Sequence, residues 1–161
     1  MKMDISGIKY RKVRENETSI LVEYRMRFLR ELQGPQTPDR EIYVKGELTE
    51  YFNSALVDGS FIAWIAEINH QPIGFGGMVI QRIPAHFHLI NGLQGYILNM
   101  YTIPEHRKKG VGAEILKRLV DDGRKIGLTR IYLNSTKAGI EIYKRNGFKI
   151  PEFPELELLD F

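Results

Sequence analysis

The sequence predicts a mixed α/β domain of the α+β kind, one unit over residues 1–161, with elements in the order βααβββαβαββ. Three observations predict it. Apolar residues recur at helical spacing as far as Leu56, become strand-like from Phe61, and return to helical spacing from Gly110. A strand–helix–strand succession from Tyr96 to Asn134 calls for a parallel crossover, right-handed by the general rule. The length of 161 residues suits one hydrophobic core, and no internal repeat or low-complexity segment interrupts it.

Ile8–Val13 forms the first strand. Glu17–Gln33 follows as a helix, with Ile20, Leu21, Tyr24, Phe28, Leu29 and Leu32 on one side, and Gly34, Pro35 and Pro38 break it. A second helix covers Arg40–Leu56, its apolar side being Ile42, Leu48, Tyr51, Phe52 and Leu56. Phe61–Ile68 and Ile73–Ile83 are rich in β-branched and aromatic residues, and they flank Asn69-His70-Gln71-Pro72 as a β-hairpin. Pro84–Asn91 is a loop, and Tyr96–Ile103 is a strand ended by Pro104, which cannot donate to a ladder. The helix Gly110–Ile126 turns Val111, Ile115, Leu116, Leu119 and Val120 inward, with Glu114, Lys117, Arg118, Asp121 and Asp122 opposite, and Gly127 suits its end. Ile131–Asn134 is a short strand, Thr136–Asn146 a short helix stopped by Gly147, and Phe148–Phe161 supplies one or two last strands.

Composition narrows the function classes. Hydrophobic residues make up 43% and charged residues 27%, ordinary globular usage. A net charge of +3 favours an anionic small molecule over nucleic acid, which needs a stronger basic excess. With no cysteine there is no disulfide, thiolate metal site or cysteine nucleophile. No apolar run is long enough for a signal peptide or a membrane span, so a cytoplasmic protein with no membrane partner is expected.

The stretch Asn99-Met100-Tyr101-Thr102-Ile103-Pro104-Glu105-His106-Arg107-Lys108-Lys109-Gly110-Val111-Gly112-Ala113 carries the chemistry. It reads as a strand, a sharp turn, a basic glycine-containing loop and a helix start. The first N–H groups of a helix have no internal partner, and the helix dipole adds positive potential there. Glycine lets backbone approach a ligand, and Arg107, Lys108 and Lys109 add full charges. Together these suit a pyrophosphate. A lone G-x-G would be read rather as a tight helix entry with a solvated basic face. Neither G-x-x-x-x-G-K-[ST] nor a completed G-x-G-x-x-G is present.

Arg107-Lys108-Lys109-Gly110-Val111-Gly112 resembles the [QR]-x-x-G-x-[GA] signature of the GNAT N-acetyltransferase superfamily. Ile142-Tyr143-Lys144-Arg145-Asn146-Gly147-Phe148 resembles that family's L-Y-x-x-x-G-F, and the element order agrees over nearly the whole chain. The resemblance implies a GNAT-like mixed central sheet whose motif strand splays from the next parallel strand to leave a cofactor cleft. It implies acetyl-CoA as donor and no metal. It places backbone groups of Met100, Tyr101 and Thr102 on the pantetheine arm, Lys108–Ala113 around the pyrophosphate with Arg107 beside them, and Thr136 on the cofactor, although a helix N-cap explains Thr136 equally.

The reaction so implied is direct attack of a primary amine on the thioester, with Tyr143 as the acid for the leaving thiolate; packing alone would also explain that tyrosine. A backbone N–H near Met100 would stabilise the oxyanion. Many relatives carry a glutamate on the motif strand where this chain reads Leu98-Asn99-Met100, so the base is unassigned. Tyr101, His86, His88, Glu31, Glu41, Glu155 and Glu157 stay open for it; for His86 and His88 a surface loop or a base is preferred to a metal pair. The acceptor is a small-molecule or peptide amine whose identity has no portable motif. A homodimer is expected only by analogy. A module that binds acetyl-CoA without catalysis is the competing reading.

Overall fold

The computed structural model describes residues 7–153 and 155–159. Strand β1 spans Lys9–Lys12, helix α1 Thr18–Gln33, helix α2 Pro38–Asp58, β2 Phe61–Ile68, β3 Gln71–Arg82, β4 Leu93–Thr102, helix α3 Val111–Lys125, β5 Arg130–Leu133 and helix α4 Ile140–Arg145. The strands form one sheet in sequence order, antiparallel except for the parallel β4–β5 pair. The predicted crossover is therefore present as a parallel connection.

Each element follows from local chemistry. Asn69 and His70 both adopt positive φ, the geometry of a two-residue hairpin turn, so Gln71 and Pro72 belong to β3 and not to the turn. Pro72 is tolerated beside the register irregularity at Ala66/Glu67. Pro38 opens α2, where its missing N–H costs nothing, and Gly59 closes it in the left-handed region.

Two apolar clusters sandwich the sheet. On one face Leu21, Val22, Tyr24 and Met26 of α1 and Phe52 and Ala55 of α2 pack on Phe61, Ala63, Ile65 and Phe75. On the other, Val111, Ile115, Leu116 and Leu119 of α3 pack on Ala66, Ile73, Met78 and Ile97. Helix α3 lies closely enough that a Cβ on Gly76 would stand 2.8 Å from Ile115 Cγ2, and one on Gly74 2.9 Å from Val111 Cγ1.

Four expectations need correction. The described residues of Phe148–Phe161 contain no strand, and Phe153, Leu156 and Leu158 are exposed; residues 154, 160 and 161 lie outside the described part. Alternating apolar residues signal a strand only where an edge pairs with them, and none does here. Ile42 is exposed, because α2 meets the sheet only in its second half. Asp122 is buried, not opposite the core: it accepts from Trp64 Nε1 at 2.8 Å and meets Lys12 Nζ at 3.0 Å. The last helix starts at Ile140, since Thr136 Oγ1 and Thr136 O both receive the Gly139 N–H in a turn; Thr136 is therefore not its N-cap.

Candidate active site

The site begins where β4 loses one partner. Pairing with β5 runs from Gln94–Arg130 to Ile97–Leu133, whereas β4 continues on β3 as far as Thr102. The edge of Leu98–Thr102 that would face β5 is thus unpaired in the ladder. The β3–β4 register also steps from Gly77–Leu98 to Phe75–Tyr101, so Gly76 opposes both Asn99 and Met100. That extra residue is a β-bulge. Asn99 occupies it at φ 59°, a left-handed conformation that asparagine tolerates better than most residues.

Beyond β4, Pro104–His106 form a short 3-10 turn, Lys108 adopts φ 59° and Gly110 φ 81°. This path brings the chain back into α3. The first helical hydrogen bond runs from the Glu114 N–H to Gly110 O at 3.0 Å, leaving the N–H groups of Val111, Gly112 and Ala113 ahead of it. The two glycines differ in what they are for. Gly110 is demanded by its backbone angle. A Cβ on Gly112 would meet only Ile142 Cδ1 at 3.9 Å and Thr102 Oγ1 at 4.0 Å, ordinary contacts. Among the described residues nothing requires a glycine at 112, and the space beside it is open.

The three basic residues of the loop are not equivalent. Arg107 donates from Nε to Thr102 O at 2.8 Å and from Nη2 to Glu31 Oε2 at 2.7 Å, and its guanidinium lies 5.5 Å from the Tyr101 ring centroid. It therefore staples the end of β4 to α1, with its charge neutralised. Lys109 donates to Glu105 O at 2.7 Å. Among the described residues, Lys108 makes no side-chain hydrogen bond or ion pair, leaving its charge available at the helix entry.

A cavity of about 220 Å³ opens at the splay, lined by Phe28, Glu31, Leu32, Met100, Tyr101, Thr102, Arg107 and Thr136. The fold thus gathers Met100, Tyr101, Thr102, Arg107 and Thr136 around one hollow. Phe28 and Leu32, which continue the apolar stripe of α1, serve as pocket wall and not as core. Tyr143 of α4 is half-buried against Phe148, ring centroids 5.9 Å apart, and its neighbour Ile142 lies beside Gly112. Burial pushes the Tyr143 hydroxyl above its ordinary value. Burial also raises Tyr101, with the nearby Glu31 carboxylate adding to the effect. Glu31 itself is held below the usual carboxylate range by Arg107.

Of the residues left open as a base, Glu31 and Tyr101 line the cavity. Glu41 is tied to Arg30 at 2.6 Å on the outer side of α1 and α2. His86 and His88 sit in the exposed β3–β4 loop, anchored by Asn91 Nδ2 to Gly127 O just past the end of α3. That anchor lies at the opposite end of α3, a helix about 22 Å long, from the glycine loop. Glu155 and Glu157 are exposed beyond α4. Among the described residues no group of three His, Asp or Glu side chains could hold a metal, and no helix is long and apolar enough to cross a membrane.

A sequence model described as the acetyltransferase (GNAT) family matches residues 26–148, which runs from α1 through Phe148. The chain belongs to the GNAT acetyltransferase family. A GNAT neighbour from Clostridium acetobutylicum, a predicted acetyltransferase with acetyl-CoA, superposes with a TM-score of 0.83 at 34% identity, over 93% of this chain and 96% of that one. A GCN5-related N-acetyltransferase from Ralstonia eutropha JMP134 shares the fold with a TM-score of 0.82 at 22% identity, over 94% of this chain and 99% of that one. The chloroplastic GCN5-related N-acetyltransferase 6 of Arabidopsis thaliana is 32% identical over 69 residues, 41% of this chain. The chain spans about a quarter of that GNAT relative, 24% of its length. A bulge in the motif strand is implied by the family resemblance, but its position at Asn99 and the role of α1 as a pocket wall were not read from the sequence; an asparagine inside an apolar strand is the one local signal of the former.

Proposed function

We propose that this chain transfers an acetyl group from acetyl-CoA to a primary amine. The observation that carries the reading is the open edge of β4, bulged at Asn99 and Met100, which leads directly to the free N–H groups ahead of α3. The pyrophosphate would lie on the N–H groups of Val111, Gly112 and Ala113, with Lys108 as counter-charge and Gly112 giving room. Backbone groups of Met100, Tyr101 and Thr102 would hold the pantetheine arm, and Thr136 faces the same cavity. The Clostridium neighbour, whose structure contains acetyl-CoA, supports the choice of donor.

Chemistry follows from what the cavity offers. The amine nitrogen attacks the thioester carbon, forming C–N as C–S breaks. The oxyanion is stabilised by a backbone N–H at the bulge, where the strand lacks a ladder partner. Tyr143 keeps its proton because burial raises it, so it suits the acid that protonates the departing thiolate and not a base. Glu31, whose bond to Arg107 uses Oε2, offers Oε1 as a hydrogen-bond acceptor to the ammonium at the mouth, and the amine proton leaves through water. A residue with a strong arginine partner is a weak base, so Glu31 attracts more than it abstracts.

The test combines binding with turnover. Isothermal calorimetry should show acetyl-CoA binding that Gly112→Glu abolishes and Gly112→Ala retains, both variants keeping the wild-type melting temperature to within a few degrees. Absence of binding to the wild type would sink the reading. Binding without release of free thiol across a broad amine panel would favour a non-catalytic acetyl-CoA module.

A further inference from the structure

Helix α1 carries three arginines, and two have carboxylate partners: Arg27 pairs with Glu23 and Arg30 with Glu41. Arg25 does not. Among the described residues no carboxylate lies within ion-pairing distance of it; its hydrogen-bond partner is the neutral amide of Asn99, through Nη1 to Oδ1. A guanidinium has five N–H donors and no acceptor. One donor is used, and the rest of the group is partly buried between α1 and β4, over the Phe28 ring at 5.8 Å. Fully buried arginines are almost always paired, and removing even part of an unpaired charge from water is costly. That cost is visible here, since burial pushes Arg25 below its ordinary value.

Asn99 repeats the pattern. It is 2% exposed, and Arg25 fixes which way its amide faces, because a guanidinium can only donate and so must meet Oδ1. Nδ2 is then turned away, buried and without a partner. A cationic donor set and an orphaned amide donor therefore lie side by side. Their position is informative. Phe28, three residues on from Arg25 and on the same side of α1, lines the cavity, as does Met100, the residue after Asn99. Arg25 and Asn99 are not themselves lining residues; the pair lies directly behind the wall that Phe28 and Met100 form, at the bulge, with Tyr96 nearby.

We propose that Arg25 recognises an oxyanion on the acceptor, so that the acceptor is an amine carrying a carboxylate or a phosphate close to the reacting nitrogen. This rests on the acetyl-transfer reading of the same cavity. Glu31, at the Tyr101–Arg107 side, attracts the ammonium while Arg25, at the bulge, holds the anion, so a zwitterionic acceptor would lie across the point where the thioester is attacked.

Thiol release is measured for α-amino acids against their α-amides, and for phosphoethanolamine against ethanolamine. The acid-bearing member should be preferred by about 10-fold or more in kcat/KM, and the pair showing the preference tells carboxylate from phosphate. Arg25→Gln should erase the preference by raising KM for the acid-bearing member about 10- to 100-fold, the size expected for a charge-assisted hydrogen bond. Arg25→Lys, which keeps charge but loses the planar fork, should retain part of it. Calorimetry of acetyl-CoA on each variant reports that the protein is folded and the donor site intact. Equal or better use of the neutral members by the wild type, or no turnover of any acid-bearing member while acetyl-CoA binds, overturns the proposal. Failure of the wild type to bind acetyl-CoA overturns the acetyl-transfer reading, and this inference with it.

Discussion

Tyr143 shows what a single residue contributes and how it can be read. Its position in Ile142–Phe148 was visible in the sequence, but the choice between packing and chemistry was not. The structure shows a half-buried ring on Phe148 and a hydroxyl raised by burial, features that suit packing and the proposed acid role alike. An acid must hold its proton, so a raised value extends the protonated form to higher pH. Tyr143→Phe should lower kcat about 100-fold, within the usual range for general acids, and leave the acetyl-CoA dissociation constant unchanged. In the wild type the alkaline loss of kcat due to this group should fall above 10.0, the ordinary tyrosine value. A profile that falls well below that pH, or a phenylalanine variant with wild-type kcat, would assign Tyr143 to packing. At the same scale, Gly110 and Gly112 are identical in sequence and different in role, one set by φ and the other by unfilled space.

At the scale of elements, the fit of α3 on β3 and β4 fixes the bulge. Gly76 faces Asn99 and Met100 across the ladder, and a Cβ there would come within 2.4 Å of Met100 Sδ and 2.8 Å of Ile115 Cγ2. Met100 Sδ is the end of a flexible chain and can move, whereas Ile115 is fully buried. Gly76→Ala should therefore destabilise by about 1–3 kcal/mol, read as a lower urea midpoint, and should weaken acetyl-CoA binding by disturbing Met100. An unchanged midpoint would mean that the helix shifts freely against the sheet. The long elements were legible because their apolar period is strong: β2 is found with the predicted bounds, α1 starts one residue later and ends as predicted, and α2 and α3 differ by two residues and one residue at each end. The closing strands failed because alternation at Leu156 and Leu158 says nothing about whether an edge is available to pair.

Across the whole molecule, arginine–carboxylate links join elements distant in sequence. Arg11 of β1 reaches Glu17 ahead of α1 and Glu67 of β2, Arg30 reaches Glu41 between the two helices, and Arg107 joins the glycine loop to Glu31. Burial alone would raise Glu17, but its bonds from Arg11 and the Arg14 N–H outweigh that and lower it; Arg107 lowers Glu31, and Arg30 lowers Glu41. A carboxyl whose folded value is depressed adds stability above its unfolded value and loses it as pH falls through the folded one. The urea midpoint should stay level from pH 7 to about 5 and decline below about 4.3, the unperturbed glutamate value. A midpoint still level at pH 3 would show that these links add nothing. The sequence by itself determined the element order as far as α4, the glycine loop and the Tyr143 motif, because periodicity, helix-entry chemistry and short-range spacing are properties of neighbours along the chain. Only the tertiary structure decided that Asn99 occupies the bulge, that Arg25 meets Asn99, that Glu31 neutralises Arg107 and that α1 walls the pocket. Each of these depends on which distant residues the sheet brings together, and no local pattern encodes that.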